Sequence, residues 1–180
     1  MAGCNISDGL GRPACPGETP GCYDTLYLFN REQVSAFVAG TGDIVEDITF
    51  TSSNGFYQVV AKKQSVVIRA EKQDNDTDAT DYTHEVDFTL TDLSSTARDF
   101  VNSLNGPSLG VIVRTKGDKF YLYGYNDGVQ MKVNNMSSEA DALGHFITLR
   151  ETQVSELPRV FFDTDASTTL ANITSKIVGS

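Results

Sequence analysis

The chain reads as a mostly β protein of the α+β kind, an antiparallel β-sandwich or flattened barrel with one packed α-helix. Three observations carry that expectation. From Leu109 to Glu151, three period-2 apolar runs are separated by turn chemistry, the pattern of an antiparallel meander. Between Tyr82 and Leu90 the chain alternates, with Val86, Phe88 and Leu90 on one face and Glu85, Asp87 and Thr89 on the other, as a half-buried strand requires. Only residues 92–104 carry a good helical stripe, formed by Leu93, Ala97, Phe100, Val101 and Leu104. One helix of about three turns among many strands is expected to cover a sheet.

The elements follow in order. Residues 1–22 hold five glycines, three prolines and three cysteines, with hardly any apolar periodicity, and read as an extended or flexible N-terminal arm. The folded body is expected over residues 23–162. Leu26, Tyr27, Leu28 and Phe29 make a first strand, broken at Asn30. Val34 to Phe37 reads as a short helical turn before Gly40 and Gly42. Ile44 to Thr51 alternates, Gly55 turns the chain into a strand from Phe56 to Ala61, and Val66-Val67-Ile68 is strongly β-prone. Residues 72–81, KQDNDTDATD, read as an acidic projecting loop. Thr91 or Asp92 is placed to cap the 92–104 helix, and Asn105-Gly106-Pro107 to stop it. Lys116-Gly117-Asp118 and Asn126-Asp127-Gly128 supply the turn residues of the meander. Pro158 to Phe162 gives a last strand. The segment 163–180 is polar with sparse aliphatics at Leu170, Ile173, Ile177 and Val178, either one helical stripe or a pairing strand. It is expected as a C-terminal tail that packs on something else.

Composition narrows the function. In 180 residues, 24 acids against 14 bases leave a net charge of −10. Such a surface repels phosphate, which argues against sequence-specific nucleic-acid binding and against docking on an anionic membrane. No apolar run approaches the length of a membrane span. The opening MAGCNISDGLGRPACPG has no apolar h-region, so the expectation is a chain made in a reducing cytoplasm. Cys4, Cys15 and Cys22 are odd in number and lack metal-ligand spacing, so free thiols are expected.

Residues that carry chemistry are sparse. His84 and His145, the two histidines, fall within expected strands with no nucleophile or orienting partner in pattern. Gly9-Leu10-Gly11 has no preceding strand and no phosphate-loop lysine. Asp74, Asp76, Asp78 and Glu85 match the carboxylate positions of a calcium loop, but Ala79 replaces the required glycine and strands flank the segment. A solvated loop is the expected reading. Asn-x-Ser/Thr triplets begin at Asn5, Asn75, Asn135 and Asn172 and carry no meaning without secretion. Tyr121, Tyr123 and Tyr125 lie opposite Phe120, Leu122 and Gly124. A strand apolar on both faces is covered on both, by the 92–104 helix or by a neighbouring subunit. No catalytic, cofactor-binding or metal-binding residue is expected, and the chain does not read as an enzyme.

The hairpin pair GVIVRTKGDKFYLYGYNDGVQ and the return strand ALGHFITL resemble the C-terminal half of tail tube or tail hub subunits from phages of Bacteroidetes-type hosts. The resemblance spans about residues 22–152. It implies a tail-tube-like β domain in a structural virion protein. Subunits of that family form hexameric rings, their inner sheets merge around a lumen that passes DNA, and arms and long loops reach neighbouring subunits and other tail proteins. Localisation in the virion tail follows. The other reading is a capsid-decorating or host-adhesion β-sandwich on the virion surface. A ring of acidic subunits is further expected to repel DNA from the channel wall, with Glu46, Glu85 and Asp87 as candidate lining residues.

Overall fold

In the computed structural model, residues 21–74, 80–139 and 143–178 are described. The elements are β1 (Cys22–Asn30), a 3-10 turn (Arg31–Gln33), β2 (Val34–Ala39), β3 (Ile44–Phe50), β4 (Tyr57–Val60), β5 (Val67–Asp74), β6 (Thr80–Leu90), α1 (Ser95–Ser103), β7 (Leu109–Thr115), β8 (Phe120–Tyr123), β9 (Gln130–Ser137), β10 (Gly144–Val154), β11 (Arg159–Phe161) and α2 (Ala166–Ser175). They build a seven-stranded sheet in the order β2-β3-β11-β8-β7-β1-β4 and a four-stranded sheet in the order β5-β6-β10-β9. All pairings are antiparallel except β11 on β3. The fold is β-rich, with two helices and two sheets, and the sheets do not close into a barrel.

Two cores explain the sequence pattern. Between the sheets, Leu26, Leu28, Val111 and Val113 meet Val86, Phe88, Ile147 and Leu149, with Val101 and Leu104 of α1 beside them. On the opposite face of the larger sheet lie Tyr27, Phe29, Ile112, Phe120, Leu122 and Phe161, with Ile173 of α2 packed against them. A sheet buried on both faces needs continuous apolar strands rather than alternating ones. Leu109 to Val113 is accordingly buried at every position.

Several expectations change. Val34 to Phe37 is not a helical turn: it opens β2, whose Phe37 lies opposite Ile48 of β3. The helical turn comes earlier, at Arg31–Gln33. The segment 72–81 is in part strand, since β5 runs to Asp74 and β6 starts at Thr80; its residues 75–79 lie outside the described residues. The 92–104 helix is shorter, Ser95–Ser103, and its cap is Ser94, whose hydroxyl accepts the Ala97 N–H at 3.2 Å. Asp92 instead accepts hydrogen bonds from Ser94. Cys22, assigned to the arm, is the first residue of β1 and is buried. Residues 166–175 form a second helix, capped by Asp165, and it packs on the chain's own core.

The meander also breaks. The first hairpin stands, with β7 pairing β8 and Asp118 taking the positive φ of 60°. The second turn does not join neighbouring strands: β8 lies in the larger sheet and β9 in the smaller. Gly124 (φ +76°) and Gly128 (φ +87°) turn the chain out of one sheet and into the other, a conformation glycine adopts without Cβ strain.

Candidate functional site

The crossover at 124–128 is held by a buried acid. Glu151 follows Ile147 and Leu149 on the inward face of β10 and is 7% exposed. Its Oε1 accepts the Asp127 N–H at 3.0 Å, and the Gly124 and Gly128 N–H groups also point to the carboxylate. Burial pushes the carboxyl pKa up, and these N–H bonds oppose the shift. His84 stands beside it, with Nδ1 3.8 Å from Glu151 Oε2. Its Nε2–H donates to the Glu156 carbonyl at 2.9 Å, a bond that fixes the tautomer because a carbonyl only accepts. Burial lowers the His84 pKa, and the Glu156 carbonyl opposes that shift. Both shifts favour the uncharged forms. The adjoining cavity, which Arg159 also lines, measures about 10 Å³, space for one water molecule. Glu151 pins the crossover, and His84 ties β6 to the segment after β10. Sequence reasoning placed His84 in a strand and missed Glu151, although an acid in phase with Ile147 and Leu149 was the available signal.

His145 is buried, its Nδ1 3.3 Å from Asn134 Oδ1. The two histidines lie at opposite ends of the β6–β10 pairing, opposite Glu151 and Leu90 respectively, and do not form one site.

The outer face of the four-stranded sheet carries paired charges. Arg69 of β5 bonds Asp87 of β6 and lies 3.6 Å from Glu85. Arg150 of β10 bonds Glu85 through both Nε and an Nη at 2.5 Å. The Thr148 hydroxyl donates to Asp87 at 2.6 Å. Glu85 is therefore engaged by two arginines rather than turned toward the calcium-like segment, where Asp76 and Asp78 lie outside the described residues. No group of potential metal ligands occurs among the described residues. Glu85 and Asp87 also do not make this face acidic, because an arginine compensates each.

A groove runs between α1 and β4. Thr96, Ala97 and Phe100 face Gln58, Val59 and Val60 across about 370 Å³, and Phe100, Ser103 and Leu104 face Tyr57 and Leu28 across about 320 Å³. The helix thus lies alongside the edge strand. Phe100 is half-buried between the two spaces, while Val101 and Leu104 are buried. The expectation that this stripe packs on the core holds for Val101 and Leu104, which are buried, and for Phe100, which packs against the same cluster while its exposed part lines the groove.

The tyrosine ladder stops at Gly124. Tyr123 is buried between the sheets, its ring 5.6 Å from that of His84, and burial raises its hydroxyl pKa. Tyr125 turns to the other face, 4.6 Å from the Phe37 ring and 4.1 Å under the Arg159 guanidinium. The chain itself supplies the cover on both sides. Cys22 is a free thiol, its pKa raised by burial; Cys4 and Cys15 lie outside the described residues. No helix of the described residues is long and apolar enough to cross a membrane. No family model, curated protein or solved structure matches the chain.

Proposed function

We propose that the chain is a structural virion protein, a tail tube or tail hub subunit that forms a hexameric ring for DNA passage. The observation that carries this reading is the four-stranded sheet. One of its faces is buried in the core, the other is wet and charge-compensated, and its edge strands β5 and β9 pair on one side only among the described residues. Open sheet edges invite further pairing, and a head-to-tail contact that closes into a ring satisfies them. In the proposed ring, β5 of one copy meets β9 of the next, and the wet faces line the lumen. The compensated Arg69, Glu85, Asp87 and Arg150 give a wall without the dense positive charge that would hold phosphates by counterion release.

Sedimentation velocity and negative-stain imaging of the pure protein test the proposal. Rings of about six copies of the 19.6 kDa chain, or stacked tubes, are the expected result. A monomer at all concentrations rejects it, and a stable trimer favours the decorating or adhesion role.

A further inference from the structure

Two Asn-Gly pairs occur in the chain, Asn54-Gly55 and Asn105-Gly106. The side-chain amide carbon of such an asparagine is open to attack by the next backbone nitrogen, because glycine has no Cβ to block the approach. The structure separates the two pairs. Asn105 and Gly106 are both exposed, in the turn between α1 and β7. Gly106 takes a φ of +111°, and among the described residues no heavy atom outside its chain neighbours lies within 4 Å of the place a Cβ would occupy. The helix holds the backbone as far as Asn105, with the Leu104 N–H donating to Val101 O at 3.2 Å and the Asn105 N–H to Asn102 O at 3.1 Å. Gly106 and Pro107 lie between those anchors and the bond from the Arg31 N–H to Ser108 O.

The other pair is clamped. Asn54 is half-buried, and its Nδ2 donates to Thr51 O at 2.6 Å and to Thr51 Oγ1 at 3.3 Å. Gly55 is buried, and a Cβ there would run into the Lys176 carbonyl oxygen. That same oxygen accepts the Phe56 N–H at 2.9 Å, and the Val178 N–H donates to Phe56 O at 2.9 Å. Swinging the Gly55 nitrogen onto the Asn54 side chain would break these ties to the end of α2.

We propose that Asn105 is a site of spontaneous covalent modification, deamidation through the Gly106 backbone nitrogen, and that folding spares Asn54. The Gly106 nitrogen, having lost its proton to solvent base, attacks Asn105 Cγ. A nitrogen–carbon bond forms, the Cγ–Nδ2 bond breaks, and Nδ2 leaves as ammonia, giving a cyclic imide. Water then opens the imide. Addition at Cγ breaks the new bond and leaves aspartate, whereas addition at the main-chain carbonyl carbon breaks the original peptide bond and leaves isoaspartate. Each product carries one further negative charge beside the C-terminal carbonyls of α1, where the helix dipole disfavours it. The isoaspartyl form also lengthens the backbone between α1 and β7 by one carbon. Water is the only co-reactant, so the chemistry proceeds whether or not copies assemble.

Timed incubation of the full chain at mildly alkaline pH tests the assignment, run in parallel in native buffer and in guanidinium chloride. Trypsin releases Asn105 in the peptide 99–114 and Asn54 in the peptide 32–62, so the two sites are read separately by mass, with isoaspartate scored by enzymatic methylation. Aliquots digested before incubation set the background. In native buffer the 99–114 peptide is expected to convert many-fold faster than 32–62. In denaturant, where the ties to Lys176 and Thr51 are gone, both are expected to convert at similar rates. Gly106→Ala, compared in denaturant so that its positive φ plays no part, is expected to slow conversion of 99–114 many-fold. Equal conversion of the two peptides in the folded chain, a 99–114 peptide that converts only in denaturant, or a rate unchanged by Gly106→Ala would overturn the proposal.

Discussion

Ile173→Ala tests whether the C-terminal helix belongs to the body. Ile173 is fully buried against the second core, in company with Phe56 and Phe161. Truncation removes three carbons, worth about 0.8 kcal/mol each in transfer, or about 2.4 kcal/mol in total. The cavity left behind adds up to about 2 kcal/mol if the surrounding rings do not relax. Against a domain stability of about 5–15 kcal/mol this is a large loss, and for a chain of this size it lowers the thermal midpoint by about 5–15 °C. The chain has seven tyrosines and no tryptophan, so urea unfolding is followed by tyrosine fluorescence with far-UV circular dichroism as the second probe. Ala171→Ser, at an exposed position of the same helix, is the control and is expected to shift stability by less than about 0.5 kcal/mol. If Ile173→Ala matches the control, α2 does not hold the second core, and the tail acts elsewhere as the sequence alone suggests.

Other perturbations follow from the same packing. His84 has a folded pKa below its ordinary 6.5, so its contribution is full above 6.5 and is lost as pH falls toward the folded value; His84→Gln should flatten the decline of the urea midpoint on acidification from about pH 7.5 to 5, and a parallel decline in both proteins refutes this. Glu151 works in the opposite sense, since its raised folded pKa gives stability that is present below 4.5 and lost as pH rises through the folded value. Thr148→Val leaves Asp87 without its hydroxyl donor and should cost about 1–3 kcal/mol; an unchanged midpoint would mean that water takes over the bond. Gly110→Ala drives a Cβ into the Phe29 ring, which packs edge-on to Phe50 and Phe56 at 5.8 and 5.7 Å, so a loss of about 1–3 kcal/mol is expected, recovered in part by Phe29→Leu.

What was legible in the sequence was whatever a period reports directly. Val86, Phe88 and Leu90 alternate and are buried together, and the 116–118 turn closes a real hairpin because the chain is antiparallel on both sides of it. The second turn misled because Asn-Asp-Gly allows positive φ in a crossover as readily as in a hairpin. The difference lies with Glu151, 24 residues away from the N–H it accepts. Val34 to Phe37 misled for a related reason: strand pairing with β3 decides its conformation, and no local pattern records that partner. The second helix was half legible. Its stripe at Leu170, Ile173 and Ile177 has helical spacing, but only the apolar outer face of the larger sheet gives that stripe something to bury against. The groove beside α1 was not legible at all, since Phe100 falls on the same stripe as Val101 and differs only in what stands opposite.

The chain covers both faces of its larger sheet by itself, so the aromatic strand at 120–123 no longer argues for a subunit interface. The proposed ring uses the edges and the wet face of the smaller sheet, and there the charge balance sets its salt dependence. Each copy carries −10, while the arginine-paired acids Glu85 and Asp87 add little to that excess on the wet face. Like-charged copies repel over the Debye length, about 30 Å at 0.01 M salt and about 8 Å at 0.15 M. Backbone pairing between edges is insensitive to that screening. Salt should therefore favour the proposed ring, with the oligomer fraction in sedimentation velocity rising between about 0.01 and 0.5 M sodium chloride. Dissociation over the same range would show that the copies are held by ion pairs across the contact, and pairing of open β edges would no longer account for the assembly.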